Sequence, residues 1–319
     1  MLLWPALPQS LRRPCADKAC LFASKRYSSS KRWQARQQKD HFNREAAVQG
    51  LKSRAAFKLL QIDEKHKIFK SGQTVVDLVL ATLPARGRKY VNLYTSYRSR
   101  LIYRPKVAVD RTQPNGRVLG VDIIPAQPPK GVSTIQGNFL APGIQEYVQE
   151  FLSDPRRGRP RSASSLSAVS STDMLSELSI KDASQDGEDP AVRRTVDVVL
   201  SDMSAPWHQT DGFWKRSLSN PYYRMMNTSG VALTDHAGSM DLCRAALQFS
   251  FEVLRAGGNF VCKFYQGDED KGLEKQLKGL FQRVYRLKPE SSRDASKESY
   301  FIALGRKQNA PKDAAFPSS

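Results

Sequence analysis

The sequence lacks the features of two protein classes. None of its apolar runs reaches 18 residues, so no membrane-spanning helix is expected. Only four of the 319 residues are cysteine, and no two of them stand in a CxxC pair. We therefore predict no structural zinc, no metal site and no disulfide framework, which fits a reducing compartment. The cysteines are Cys15, Cys20, Cys243 and Cys262.

Acidic residues are scarce in two segments, and most of the net charge of +19 comes from them. Residues 1–39 contain nine Lys or Arg and a single acid, which gives +8. Residues 79–106 contain seven Lys or Arg and no acid, which gives +7. A basic chain suggests an anionic partner, but here the evidence concerns the two segments more than the rest of the chain.

Residues 1–30 have the composition of a mitochondrial presequence. The stretch "MLLWPALPQSLRRPCADKACLFASKRYSSS" is rich in arginine, serine and apolar residues and nearly free of acids. Its end, "KRYSSS", looks like a processing site. We therefore predict targeting to the mitochondrial matrix, with a solvated basic tail as the alternative.

Between residues 40 and 310, β-branched runs alternate with helical patterns. Strands are predicted at "TVVDL", "GRVLGVDIIP", "GVSTIQGNF", "TVDVVLSDMSAP", "NFVCKFYQG" and "SKESYFIALGRK". The longest helix is expected to have Thr234 or Asp235 as its N-cap and to end at Gly257–Gly258. This order predicts one α/β domain with a mostly parallel, doubly wound sheet. Residues 154–194 are expected to be a disordered insertion, and 311–319 a tail.

Four charged side chains stand where such a sheet gathers its functional groups. Ligands bind outside the carboxyl ends of the strands, where Asp202 and Lys263 are expected. A lysine that interrupts an apolar strand needs a partner, so Lys263 is the strongest single candidate. Lys58 in the leading helix and Glu298 at the start of the last strand, taken singly, are better explained as solvated charges.

Together these motifs resemble a known family. The stretches "SRAAFKL", "VVDL", "GVDIIP", "QGNF", "LSDMSAP", "RAGGNFVCKFYQG" and "KPESSRDASKESYFIALGRK" are similar to those of the FtsJ/RrmJ-type ribosomal RNA ribose 2′-O-methyltransferases. The resemblance covers about 50–310, and the presequence points to the branch that acts on a uridine of mitochondrial large-subunit rRNA. It implies a Rossmann-like methyltransferase fold with an antiparallel last strand, and a partner that is this rRNA or a pre-ribosomal particle.

The resemblance also implies a catalytic tetrad of Lys58, Asp202, Lys263 and Glu298. The reaction needs the ribose 2′-hydroxyl aligned with the methyl donor and one proton removed. We expect Lys263 to be the central catalytic lysine and Asp202 to position it. Lys58 and Glu298 would hold the hydroxyl.

The cofactor implied by the resemblance is S-adenosylmethionine. Asp122 ends the second predicted strand, where an acid typically binds a ribose. Asn138 stands where the family usually has an aspartate on the adenine side. Asp202 is expected near the methionine end, and Asp77 is expected to order the loop that follows the first strand.

That loop does not have the expected sequence. The family continues with a turn like DLGxAPGxWSQ, whereas this chain reads "VLATLPARGRK". One explanation is a degenerate, inactive member. The other, which we favour, is that residues 79–106 are mistranslated or intron-derived. With permitted third bases, the codons from Leu80 to Lys89 encode Gly-Tyr-Ala-Pro-Gly-Ser-Trp-Ser-Gln in a shifted frame. We expect 79–106, as written, to be an unsupported loop.

RNA contacts are expected from four basic residues near the leading helix, although a solvated helix face explains each equally well. We predict methylation of a ribose 2′-hydroxyl in mitochondrial large-subunit rRNA, in support of ribosome assembly. The main alternative is an inactive RNA-binding assembly factor. A nicotinamide dehydrogenase rests on "VLGVDIIP" alone and leaves Lys58 and Lys263 unexplained. The four basic residues are Arg54, Lys65, Lys67 and Lys70.

Overall fold

A seven-stranded sheet with helices on both faces organises the chain, and Asp40–Ser319 form one compact unit. The computed structural model describes residues 41–48, 54–79, 104–123, 128–160, 194–204, 228, 231–294, 296–311 and 316. The helices are α1 (His41–Val48), α2 (Arg54–His66), α3 (104–112), α4 (Pro142–Ser153), α5 (Ala232–Val253) and α6 (Asp270–Leu280). The strands are β1 (Thr74–Leu78), β2 (Arg117–Asp122), β3 (Val132–Gln136), β4 (Val196–Ser201), β5 (Leu254–Tyr265), β6 (Phe281–Leu287) and β7 (Glu298–Arg306).

The strand order is β3-β2-β1-β4-β5-β7-β6. The first five strands are parallel, and β7 is antiparallel to both β5 and β6. This confirms the predicted α/β class, the mostly parallel sheet and the antiparallel last strand. Strand order reverses between β1 and β4, so the crevice of the sheet opens at the carboxyl ends of these two strands.

Alternating side chains of each strand pack into two apolar layers. Val75 joins the layer that contains Leu59 and Ile62 of α2. Val76 and Leu78 join the opposite layer, which contains residues of α4, α5 and α6. Successive side chains of a strand point to opposite faces, so Asp77 faces the same side as Val75, toward α2.

The predicted ends of the longest helix are wrong. Helix α5 begins at Ala232 without a side-chain cap, and it ends at Val253, where β5 begins directly. Gly257 therefore lies within β5, at φ +78°, next to a shift in the β4–β5 register. Pairing of β5 with β4 prevails over the local glycine signal, and the glycine supplies the left-handed backbone at the irregularity.

The structure describes the ends of the two segments that were predicted to interrupt the domain, 79–106 and 154–194. Val79 is buried and donates its N–H to the Val121 carbonyl, and residues 104–106 belong to α3. The expectation of an unsupported loop is therefore wrong at both ends of 79–106, while 80–103 lie outside the described residues. The first seven residues of the expected 154–194 insertion form a turn, while 161–193 lie outside the described residues. The predicted presequence at 1–30 and most of the tail also lie outside them.

Arg117 holds this turn to the domain. Its guanidinium is buried and donates to the carbonyls of Leu152, at 3.1 Å, and Asp154, at 2.5 Å. These carbonyls lie at the end of α4, where the helix leaves its own acceptors unused. Burial lowers the pKa of Arg117 to about 10. Arg159 extends the attachment by donating to the Gly72 carbonyl.

Candidate active site

Three strands and one loop bring buried charges to the carboxyl ends of β1, β4 and β5. Asp77 lies in β1, Asp202 directly follows β4, Lys263 lies in β5 and Glu298 begins β7, and all four are buried. The Asp202 N–H donates to the Leu78 carbonyl at 3.0 Å, which extends the pairing of β1 with β4 by one residue.

Lys263 is surrounded by oxygen atoms. Its Nζ lies 3.1 Å from Asp202 Oδ1 and donates to the Asp202 carbonyl at 3.0 Å and to Ser204 Oγ at 2.8 Å. The Lys263 side chain is 1% exposed, and that of Asp202 is 3% exposed. An ammonium group carries three N–H donors, so these three oxygens match its full donor set. The loop after β4 therefore orients the Lys263 amine in a site that is almost closed to water.

Lys58 and Glu298 form a second pair. Lys58 Nζ donates to Glu298 Oε1 at 2.5 Å, and the Tyr300 hydroxyl donates to the same oxygen at 2.9 Å. Helix α2 packs its apolar side on the sheet and presents Lys58 toward β7. Opposite charges at this separation, in a site mostly removed from water, attract strongly and hold the α2 side chain over the strand.

Tyr300 joins the two pairs. In the β5–β7 ladder Lys263 stands opposite Tyr300, and Tyr265 stands opposite Glu298. Side chains directly opposite each other in antiparallel strands share a face, with Cβ atoms about 5 Å apart. The structure thus brings the four predicted residues Lys58, Asp202, Lys263 and Glu298 to one edge of the α2 face.

A buried arginine lies between two of the carboxylates. Arg104 NH2 is 3.3 Å from Asp77 Oδ1, and Arg104 NH1 is 3.1 Å from Asp202 Oδ2. Asp77 is fully buried, and neither of its carboxylate oxygens has a hydrogen-bond partner among the described residues. Burial raises the pKa of Asp77, although the Arg104 charge opposes this. The carboxylates of Asp77 and Asp202 therefore form a site that is suited to a cation.

The predicted cofactor residues Asp122 and Asn138 follow two neighbouring strands. Asp122 is buried at the end of β2, and its carbonyl accepts the Gly137 N–H at 2.9 Å. Asn138 is exposed, and its Oδ1 accepts the Leu140 N–H at 3.1 Å. The Asn138 carbonyl group thus shapes the turn before α4. Asp122 thus lies at the carboxyl end of the strand next to β1, and Asn138 lies beyond the carboxyl end of the strand after that.

The predicted RNA-binding residues do not form one cluster. Arg54 lies in the first turn of α2 with its guanidinium 5.5 Å from the centre of the Phe42 ring. Lys65, Lys67 and Lys70 are exposed at and beyond the other end of α2. The eleven residues from Arg54 to Lys65 span about 16 Å of helix. Arg54 and the three lysines therefore lie in two separate groups, and their contact with RNA stays a prediction.

Residues 51–82 and 105–306 match the FtsJ-like methyltransferase family. The chain belongs to this family. It is accordingly a methyltransferase. The match is interrupted between residues 83 and 104, inside the segment 79–106 that departs from the expected loop sequence.

Relatives from yeasts and bacteria are similar over most of their length. The chain is 38% identical to "rRNA methyltransferase 2, mitochondrial" of Saccharomyces cerevisiae, over 92% of each chain. It is 28% identical to the protein of that name in Schizosaccharomyces pombe, over 90% of this chain and all of that one. It is 32% identical to "Ribosomal RNA large subunit methyltransferase E" of Paramagnetospirillum magneticum, over 89% of this chain and 85% of that one.

Sequence reasoning missed three contacts of this FtsJ-like site. Tyr300 is two residues from Glu298, so strand alternation in "ESYF" could have placed both on one face. Ser204 follows Asp202 by two residues in a loop, where no periodicity applies. Arg104 lies in the segment assigned to a frame error, so nothing in the sequence placed its side chain in the site. Within the described residues no helix is suited to span a membrane, and no metal-binding cluster is found.

Proposed function

We propose that this methyltransferase methylates the ribose 2′-hydroxyl of a uridine in mitochondrial large-subunit rRNA, in the matrix, in support of ribosome assembly. The convergence of Lys58, Asp202, Lys263 and Glu298 at one edge of the sheet carries the proposal. The names of the yeast and bacterial relatives support an rRNA substrate, and the composition of residues 1–30 supports import into mitochondria.

We assign the methyl donor as S-adenosylmethionine, which supplies a methyl group activated by a sulfonium cation. Asp77 and Asp202 would face its positive charge, as they now face the Arg104 guanidinium. Asp122 would bind the ribose of the donor, and Asn138 would lie on its adenine side. The buried carboxylates and their lack of hydrogen-bond donors at Asp77 support this fit.

Lys263 would act on the hydroxyl of the substrate. Asp202 and Ser204 orient the Lys263 amine, and in its deprotonated form this amine would accept the hydroxyl proton as the ribose oxygen attacks the methyl group. Lys58 and Glu298 offer a donor and an acceptor that would hold the hydroxyl in line with the methyl group. Phosphate contacts are assigned to Arg54 near this site and to Lys65, Lys67 and Lys70 farther along the substrate.

The test is methyl transfer from labelled S-adenosylmethionine to a large-subunit rRNA transcript, using protein from a sequenced mature messenger RNA. Lys263→Ala is expected to lower the rate by about 10² or more, the usual cost of losing a positioned catalytic group. The exposed Lys275 of α6 provides the control, since Lys275→Ala changes the charge equally and leaves the site intact. Full activity of folded Lys263→Ala would overturn the catalytic assignment.

One observation favours the second candidate, an RNA-binding assembly factor without catalysis. Arg104 already supplies the positive charge between Asp77 and Asp202 that a cationic donor would bring. Transcript sequence across codons 75–110 separates the two functions. A mature message that encodes Gly-Tyr-Ala-Pro-Gly-Ser-Trp-Ser-Gln supports the enzyme. A message that encodes residues 80–103 as written, with no binding of S-adenosylmethionine in calorimetry, supports the assembly factor.

A further inference from the structure

A basic cavity lies at the opposite end of the sheet from the candidate active site. Its volume is about 480 Å³, which is in the range of small-ligand sites. The loop between α2 and β1, the beginnings of β4, β5 and β6 and the end of β7 form its walls. The charged side chains in these walls are Lys67, Lys70, Arg255, Arg283 and Asp197.

The carboxylate in the cavity wall, Asp197, already has partners of its own. Asp197 forms an ion pair with Arg255, and its Oδ2 accepts the Thr74 N–H at 2.7 Å. Lys67, Lys70 and Arg283 are exposed, and no carboxylate among the described residues pairs with them. Three cations thus face one cavity without a counter-charge, which raises the local affinity for an anion.

The backbone at Lys67 gives an independent reason to attribute a function to this cavity. Lys67 has φ +50°, and it is the only non-glycine residue with positive φ among those described. It follows α2 directly and closes the helix by donating its N–H to the Asp63 carbonyl at 2.7 Å. Glycine is the usual residue at this position, because a Cβ atom is strained in the left-handed conformation. A lysine here keeps a cation at the cavity in spite of that strain.

We propose that this cavity binds the phosphodiester backbone of the RNA substrate at a point remote from the methylated ribose. The inference rests on the proposed rRNA substrate and adds a second anchoring site to it. Asp197 and Asp202 mark the two ends of β4, five residues or about 16 Å apart. An RNA that reaches both sites must therefore have a backbone that spans at least about 16 Å between them.

The experiment compares two charge-matched double variants in equilibrium binding to rRNA fragments of increasing length. The cavity variant is Lys67→Gln/Lys70→Gln, and the control is Lys271→Gln/Lys275→Gln on the exposed side of α6. For a long fragment at 0.15 M salt, the cavity variant is expected to bind about tenfold more weakly. Its slope of log affinity against log salt should be shallower by about 1.4, which is two lost contacts to a single strand. The loss should be smaller for fragments too short to span the two sites.

Lys67→Gly separates this function from folding. Relief of the left-handed strain should leave the melting temperature equal or higher, while affinity for the long fragment falls. If the cavity variant and the control bind the long fragment equally, the cavity is not an RNA site, and the proposed methylation stands on its own assay. If the cavity variant loses affinity but the parent protein transfers no methyl group, the RNA anchor holds and the methylation proposal fails. A loss of stability in Lys67→Gly with unchanged affinity for the long fragment would show that the lysine serves the fold alone.

Discussion

The ion pair between Lys58 and Glu298 makes a quantitative prediction about stability. The two side chains are 14% and 10% exposed, and the Lys58 Nζ to Glu298 Oε1 distance is 2.5 Å. Glu298→Gln preserves the shape of the side chain and one acceptor oxygen, for which Lys58 and the Tyr300 hydroxyl can still compete. The substitution therefore removes the charge and little else.

The substitution turns the Tyr300 hydrogen bond from a charge-assisted into a neutral one and deprives Lys58 of its counter-charge, while Lys58 keeps a hydrogen bond. A hydrogen bond to a charged group contributes about 1.5–3 kcal/mol, and a neutral one about 0.5–1.5 kcal/mol. Glu298→Gln should therefore lower the free energy of unfolding by about 1–2 kcal/mol. Lys58→Met removes the other charge and keeps the apolar stem. In the double-mutant cycle of these two substitutions we expect a coupling energy of about 1–2 kcal/mol.

Urea unfolding followed by circular dichroism at pH 7 measures all four corners of the cycle. The pair Glu274–Lys278 on α6 is the control, because it has the same charges but side chains that are 28% and 61% exposed. Its coupling should be only about 0.3–0.5 kcal/mol, as for solvated pairs one helical turn apart. A coupling energy for Lys58 and Glu298 no larger than that of the control pair would refute the view that burial strengthens this ion pair.

Three further substitutions test other parts of the structure. Arg117→Met should lower the free energy of unfolding in urea by about 2–4 kcal/mol, because it leaves carbonyls at the end of α4 without donors. An unchanged free energy of unfolding would contradict this. Gly267→Ala should cost about 1–3 kcal/mol, since its Cβ would lie 2.4 Å from the Cγ of His236, whereas Gly272→Ala, with no atom within 4 Å, should cost nothing. Burial raises the pKa of Asp77 above 3.8, so its contribution to stability is full below pH 3.8 and is lost as the pH rises through the higher folded-state value. Asp77→Asn should remove this loss of stability, so the free energy of unfolding of the variant relative to the parent should grow from pH 4 to pH 7. If the difference between variant and parent does not change with pH, the pKa of Asp77 is not raised.

Strand positions could be predicted because the buried strands carry a strong local signal. "TVVDL" and "VDVVLS" are short, β-branched and apolar, and both form strands with every residue buried. Helix α5 shows the limit of that reasoning. Gly257 and Gly258 suggest that the helix ends at these positions. The strand β5 instead begins at Leu254, which pairs with Val196. Contacts between distant segments decided this boundary, and a local pattern does not contain them.

The site was predictable to the extent that single residues were unusual in their context. Lys263 could be identified because a lysine in an apolar strand requires partners, and the structure gives it Asp202 and Ser204. Tyr300 could be placed on the same face as Glu298 by strand alternation, but its position opposite Lys263 depends on the register of β5 with β7. That register is a property of the β5–β7 pairing and has no local signature.

Arg104 belongs to the segment with the unexpected loop sequence and also lies in the candidate active site. Two buried carboxylates, Asp77 and Asp202, converge at the end of β1 and β4, and isolation of such charges from water is costly without a cation. An arginine from the chain and a cationic methyl donor would satisfy the same pair, and they would compete for one place. If residues 80–103 are translated as written, the arginine has an advantage because it is tethered to α3. If the mature message instead encodes a glycine turn in place of residues 79–106, Arg104 is lost with that segment, the carboxylates are left for the donor, and the same fold becomes the active enzyme.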